Sequence, residues 1–294
     1  MKKFSVFVLV YTLAVILFGA YVRISGSGAG CGEHWPSCEG EVMPSDLFKN
    51  HAKAIEFTHR TTSGLSGVFV VILAIGAYAA KASPSARRWA IISLILIITE
   101  GLLGASLVLF KWVGLDASRG RGIMMPLHLG NTYLLLTALT QSVRSFYNPA
   151  AVYAFISNRA VKIGAALLFI TGMFGALAAL GDTLFPGTRG LVTDGHTYLK
   201  LRNIHPFIAV LTIGHILAVA VRKRDLYHTQ IFGRYMICDV ILFLTALQGM
   251  IGIMNIFLSA PAYMQIVHLL GSDILWIFYG LWLFEEKDAH ASTV

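Results

Sequence analysis

Twenty consecutive residues, from Thr61 to Ala80, carry no charged side chain and are mostly apolar. At 1.5 Å of rise per residue, a helix of that length crosses the roughly 30 Å hydrocarbon core of a bilayer. Seven more such runs follow or precede it. The eight segments fall at about 4–22, 55–80, 89–110, 123–143, 163–181, 203–221, 235–257 and 262–284, the last two separated by Ser259 and Pro261. Lipid offers no hydrogen bonds to a backbone, so each run has to be a helix that satisfies its own N–H and C=O groups. The chain is 56% hydrophobic and 13% charged, against about 25% charged in a soluble domain. The fold class expected is all-α: a polytopic membrane protein with eight transmembrane helices.

The net charge of +8 is spread between the apolar runs and forms no basic tract. That pattern suits lipid headgroups and anionic ligands, and it argues against nucleic acid as a partner. The first apolar run, 4–22, is longer than the core of a signal peptide, so it is expected to stay as a helix. With the N-terminus in the cytoplasm, thirteen of the 23 Lys and Arg residues fall inside. An even number of spans then puts both termini in the cytoplasm. Cys31 and Cys38 lie in the first outside loop, in an oxidising space. The pair reads as a structural disulfide, a redox-active dithiol, or, with His34, part of a metal site. Two cysteines and one histidine leave a four-ligand zinc site short. The outside positives Arg23, Arg60, Arg119, Arg121, Lys200 and Arg202 call for a separate reason.

Histidine supplies one. His59, His128, His205 and His268 each open an even-numbered helix, and every even helix enters from the outside. The four imidazoles therefore lie at one depth, about two turns below the outer surface. A single intramembrane histidine is often a helix–helix hydrogen bond. Four at matched depth are a functional hypothesis: two imidazoles on facing helices can hold an iron porphyrin from both sides. Proton relay, metal transport and purely structural histidines are the other readings.

The halves echo one another. Phe18-Gly19-Ala20 recurs as Phe174-Gly175-Ala176, and the stretch from Glu100 to Ala105 recurs from Gln248 to Ile253. His59 pairs with His205 in this repeat, and His128 with His268. Residues 1–150 and 151–294 are thus expected to be two pseudo-symmetric four-helix bundles, each with one porphyrin between its second and fourth helices. Gly101, Gly104, Gly249 and Gly252 read as close helix packing, with room for a flat ring as the alternative. Three residues before His59 stands Glu56; three before His205 stands Arg202. Each shares a helix face with its histidine. The guanidinium suits a porphyrin propionate. The carboxylate suits proton transfer, or is a helix-mouth group paired with Lys53 or Arg60. Glu100, near the middle of the third helix, matches Gln248 and suggests a hydrogen-bonding role, protonated if buried.

The stretches "GAYVRISGSGAGCGEHWPSCEG" and "EFTHRTTSG", with the three later histidines, closely resemble the heme A synthase family over nearly the whole chain. The resemblance implies oxidation of the C8 methyl group of haem O to the formyl group of haem A by successive hydroxylations, supplying terminal oxidases. It implies that His59 and His128 are axial ligands to substrate haem, that His205 and His268 are axial ligands to a haem b cofactor, and that Glu56 is the catalytic acid. Cys31 and Cys38 match the family's outside-loop pair. Arg60 and Arg202 are expected as propionate partners. Protoheme farnesyltransferase is implied as a partner, along with an electron acceptor that the residues do not identify, and a homo-oligomer is compatible with the pattern. The place implied is a bacterial cell membrane, with the Cys31/Cys38 loop extracytoplasmic. Many family members carry a second cysteine pair between helices five and six; residues 181–200 contain none. The alternative function is a dihaem b-type electron-transfer subunit, which needs neither Glu56 nor the cysteine loop. A transporter using histidines as proton relays is a third reading.

Overall fold

In the computed structural model the described residues are 1–186, 195–224, 230–231 and 235–287. They form eight long helices: α1 (Lys2–Ile24), α2 (His51–Ala79), α3 (Pro84–Leu109), α4 (Arg119–Tyr147), α5 (Arg159–Leu184), α6 (Thr197–Lys223), α7 (Ile237–Phe257) and α8 (Ala262–Leu283). Most begin several residues before the apolar runs do, because polar caps satisfy the free N–H groups of the first turn. The Asn50 side chain accepts from Ala52 and Lys53, Ser83 caps α3 ahead of Pro84, Ser118 caps α4, and Asn158 caps α5. At the tight α7–α8 connection, Ser259 and Ala260 both take positive φ.

Helices α1 to α4 pack in sequence, and α4 returns to α1, closing a ring. Helices α5 to α8 do the same, α8 returning to α5. The two rings meet where α4 packs on α5 and α8, and α1 on α8. Hydrophobic packing is concentrated at the end of the helices remote from the four histidines. One cluster includes Val8, Leu73, Ala90 and Leu139; the other includes Val161, Ile216, Ile241 and Tyr279. A short antiparallel pair, Val152–Phe155 with Phe284–Lys287, ties the two rings together at that same end.

Seven of the eight helices are long and apolar enough to cross a membrane; α4 is the exception among the described residues. The physical reason is its position. It is shared by both rings, and its polar residues are buried against protein rather than lipid. Gln141 Nε2 donates to the Gly280 carbonyl at 3.0 Å, Tyr133 Oη and Ser272 Oγ bond at 2.7 Å, and Trp276 Nε1 donates to Thr137 Oγ1 at 2.9 Å. Polar groups are tolerated at membrane depth when other helices supply their partners. The chain is accordingly an integral membrane protein built from helices.

Candidate functional site

At the histidine end of the helices the bundle does not close on itself. They surround a chamber of about 1690 Å³, lined by His59, His128, His205, His268 and Glu56 and otherwise mostly by apolar side chains. A pocket for one small ligand is about 300–1,000 Å³, so this chamber exceeds one ligand of ordinary size. The histidines are the seventh to tenth residues of their helices, deeper than the apolar runs suggest.

Each imidazole is seated against a glycine on the preceding helix. A Cβ placed on Gly19 of α1 would lie 3.0 Å from His59 Cε1; on Gly175 of α5, 3.2 Å from His205 Cε1; on Gly252 of α7, 3.2 Å from His268 Cε1. On Gly104 of α3 it would lie 3.9 Å from His128 Cε1. Among the repeated glycines the close-packing reading fits Gly249, where a Cβ would lie 3.2 Å from Ile213 of α6; Gly252 instead makes room for a histidine ring, Gly104 stands at ordinary contact distance from His128, and Gly101 meets nothing within 4 Å.

The residue one turn before the glycine holds the ring in three of the four cases. His205 Nδ1 lies 3.1 Å from the Thr171 carbonyl. Gln248 Nε2 lies 3.2 Å from His268 Nδ1 and donates to the His268 carbonyl at 2.9 Å. Glu100 Oε1 lies 3.2 Å from His128 Nδ1, within ion-pair reach but off the line of a hydrogen bond. Glu100 is fixed by Asn131 Nδ2 and by Thr132 Oγ1, which donates at 2.6 Å. In the fourth case Val15 stands one turn before Gly19, and the buried His59 Nδ1 has no hydrogen-bond partner. The Thr171 carbonyl and the Glu100 carboxylate can accept an Nδ1 proton, which leaves Nε2 for a metal, as ligating histidines are usually oriented. Gln248 Nε2 is an amide donor, so it positions the His268 ring without accepting its proton.

His205 and His268 stand with ring centroids 6.2 Å apart and planes at 82°. Two imidazole nitrogens bound on opposite sides of one metal ion, at about 2 Å each, put their ring centroids about 6 Å apart. The donor set, the spacing and the held Nδ1 atoms fit an iron porphyrin between α6 and α8. Pro206 directly follows His205, and Pro126 precedes His128 by two residues. Proline breaks the helical hydrogen-bond ladder there.

The loop between α1 and α2 is bolted over the chamber. Cys31 and Cys38 form a disulfide and are buried. The Cys31 N–H donates to Glu56 Oε2 at 2.8 Å. Glu56 Oε1 accepts from Arg60 Nη2 at 2.6 Å and Nε at 3.1 Å, and Arg60 Nη1 donates to the His34 and Ser37 carbonyls. Glu56 is thus paired with Arg60, as the helix-mouth reading has it, and it also faces the chamber. Lys53 does not reach it; its ammonium binds Glu39 at 2.7 Å and Asp46 at 2.8 Å. That hydrogen bond holds the exposed Asp46 carboxyl below its ordinary range. His34 contributes a backbone carbonyl rather than a ring, and the disulfide uses both thiols, so a metal site is absent there.

Of the positives expected outside, Arg23, Arg60, Arg121 and Arg202 line the chamber. Arg202 pairs with Asp182 at 3.1 Å. Arg23 reaches from α1 to the Ala179 carbonyl and Thr183 of α5 and to Gln265 of α8. Arg121 donates to the Gly114 and Asp116 carbonyls. His215 bonds the Ala160 carbonyl at 2.9 Å, outside the chamber. Cys238 is buried in the α5–α8 cluster, as a small apolar residue should be. His228 and His290 lie outside the described residues, as does most of the loop before α6. Missing from the sequence reading were Asn131 and Thr132 as anchors of Glu100, and Gly19 and Gly175 as seats. The signal for the two glycines was present in the repeated Phe-Gly-Ala triplets.

Fold and chamber together define a helical membrane protein with paired histidines facing one apolar space. A family model described as COX15-CtaA, cytochrome oxidase assembly protein, matches residues 2–279. The chain belongs to that family. It is 39% identical over 285 residues to a Thermus thermophilus protein named Protoheme IX farnesyltransferase, covering 92% of this chain and 46% of the relative. It is 36% identical over 166 residues to Heme A synthase of Shouchella clausii, covering 55% of this chain and 52% of the relative. Heme A synthase of Bacillus mycoides is 28% identical over 277 residues, 87% of this chain and 83% of that one. The chain spans about half the length of the first of these relatives.

Proposed function

We propose that this protein is an oxidoreductase, a heme A synthase, which converts the C8 methyl group of haem O to the formyl group of haem A. The observation that carries the reading is the His205–His268 pair, 6.2 Å apart with both Nδ1 atoms against neighbouring groups, together with a second histidine pair in the same chamber. The Heme A synthase of Bacillus mycoides matches this chain over 83% of its own length, which supports the choice of chemistry. The dihaem electron-transfer alternative has no comparable support.

His205 and His268 would hold haem b, and His59 and His128 would hold the substrate porphyrin. A haem bound by the C-terminal pair supplies a one-electron carrier between the substrate and an outside acceptor. The remaining work falls to side chains. Glu56 sits one helical turn before His59. Its carboxylate can take up a proton as the methyl carbon is oxidised, or stabilise positive charge on that carbon. Arg60 holds Glu56 and the disulfide loop in one place, which fixes the carboxylate's aim. Arg23, Arg121 and Arg202 line the chamber and would be available to porphyrin propionates. Glu100 and Gln248 orient His128 and His268.

Residues 1–150 and 151–294 are two pseudo-symmetric four-helix halves, and α4 is the eighth span. Both termini are cytoplasmic, and the Cys31–Cys38 loop lies outside the cell membrane. The Thermus relative is named for farnesyl transfer, yet this chain matches under half of it. A farnesyltransferase that makes haem O would then be the functional neighbour. The test is direct: incubate purified protein with haem O, extract the porphyrins and weigh them. A product heavier by one oxygen and lighter by two hydrogens supports the reading. Haem O returned unchanged, in the presence of a competent electron acceptor, overturns it.

A further inference from the structure

Resting on that reading, the two histidine pairs would need to tell apart a porphyrin with a long isoprenoid tail and one without. The halves differ at one place that can do this. His59 and His205 set the register of α2 against α6. A second pair confirms it, since Ser66 and Thr212 occupy equivalent positions and each bonds a hydroxyl on the preceding helix, at 2.9 and 2.7 Å. In that register Gly67 is equivalent to Ile213. On α3 and α7, Gly101 is equivalent to Gly249. In the C-terminal half the Ile213 side chain closes the gap: its Cδ1 would lie 3.2 Å from a Cβ on Gly249. In the N-terminal half Gly67 and Gly101 have nothing within 4 Å, nor has Gly64, one turn before Gly67 on the chamber side of α2. All three line the chamber.

We infer that Gly64, Gly67 and Gly101 frame a side channel of the N-terminal half that takes the isoprenoid tail of the porphyrin substrate, and that Ile213 plugs the corresponding place in the C-terminal half. Gly67 lies eight residues beyond His59, about 12 Å along α2. From there the chamber continues along Val71 and Ile97. At its edge Ile98 and Leu102 both line the chamber and are exposed, and Val68 beside them is an exposed apolar residue of the same surface. A hydrocarbon chain leaving the ring would therefore pass from apolar protein to lipid without meeting water. The Gly64–Gly67 and Gly101 backbones let it lie close to the helices, where a larger residue would occupy its path. The C-terminal half offers the ring the same histidine seats, but at this place an isoleucine side chain stands where the N-terminal half has a glycine. This assigns the tailed porphyrin to His59/His128 on shape alone, independently of Glu56.

The experiment titrates haem O and protohaem into protein that already carries haem at His205/His268, reading the Soret band. In the unaltered protein haem O should bind the open site more tightly than protohaem. Gly67→Ile, which copies the C-terminal half, should weaken haem O by about tenfold or more, the equivalent of some two methylene groups expelled from apolar surroundings. Protohaem affinity should be unchanged. Gly101→Val narrows the channel from its other wall and should act alike; retained haem at His205/His268 certifies folding in both. Equal haem O affinity in variant and parent, or equal loss of both porphyrins, overturns the channel. An unaltered protein that takes up neither porphyrin at His59/His128 contradicts the proposed function instead. Ile213→Gly should let haem O compete for the C-terminal site, and its exclusion there would contradict the plug.

Discussion

The glycine seats can be tested by adding one methyl group at a time. Alanine in place of a helical glycine gains up to about 1 kcal/mol of helix propensity, so without a clash each substitution should stabilise. At Gly104 the new Cβ would stand 3.9 Å from His128, an ordinary contact, and thermal stability should rise. At Gly175 and Gly252 it would stand 3.2 Å from His205 and His268, and at Gly19 3.0 Å from His59. An imidazole held on its other side by a metal has little room to retreat. Overpacking costs about 1–3 kcal/mol. The helix gain is common to haem-free and haem-bound protein and cancels in binding, so the clash alone leaves roughly 1–3 kcal/mol, or about five- to 150-fold in haem affinity. The assay is haem retention under dilution, with the low-spin spectrum reporting on axial ligation. Gly175→Ala and Gly252→Ala should lose haem faster than the parent protein while Gly104→Ala does not. Identical behaviour of all three would refute the claim that these glycines exist to admit the rings.

Glu56→Gln should keep haem at His205/His268 and lower formyl production by about 10²–10⁴-fold, the usual worth of a general base; normal haem A output would leave the Arg60 ion pair as the carboxylate's whole role. Arg202→Gln should loosen the C-terminal haem, with turnover falling in step; turnover lost at full haem content would place Arg202 elsewhere. Reduction and alkylation of denatured protein should add two labels at Cys31 and Cys38 beyond those on unreduced protein, and equal labelling would contradict the disulfide. Because hydrogen bonding to Lys53 holds Asp46 below its ordinary range, the loop anchor is at full strength above that range and is lost as pH falls through the depressed value. Hydrogen exchange in residues 39–50 should therefore quicken only in strong acid, and quickening already near neutral pH would contradict the pairing.

Much of this was legible from two periodicities. Runs of apolar residues gave the helices, and histidines at equivalent places in the repeat marked the chamber. The helix starts were misjudged because capping and first-turn residues are polar, so a hydropathy pattern begins after the helix does. In α4 the same pattern weakens for a different reason: Thr137 and Gln141 are buried against α8, and Thr132 and Ser145 against α3, where hydrogen bonding rather than apolarity makes them compatible with the membrane. The repeated glycines were visible, but their purpose was not. Spacing alone cannot distinguish a glycine that admits a neighbouring backbone from one that admits an imidazole. For Glu56 the sequence offered both Lys53 and Arg60 as partners. Geometry chose Arg60, because Lys53 is drawn to the loop acids Glu39 and Asp46.

The central claim is that two histidine pairs hold unlike porphyrins, one as cofactor and one as substrate. Its most direct test is the porphyrin inventory of four alanine variants at equal protein, extracted after exposure to haem O and resolved by mass. His205→Ala and His268→Ala should lose haem b. His59→Ala and His128→Ala should retain it and yield no haem A. Full haem b in the first two variants, or its loss only from the second two, would contradict the account.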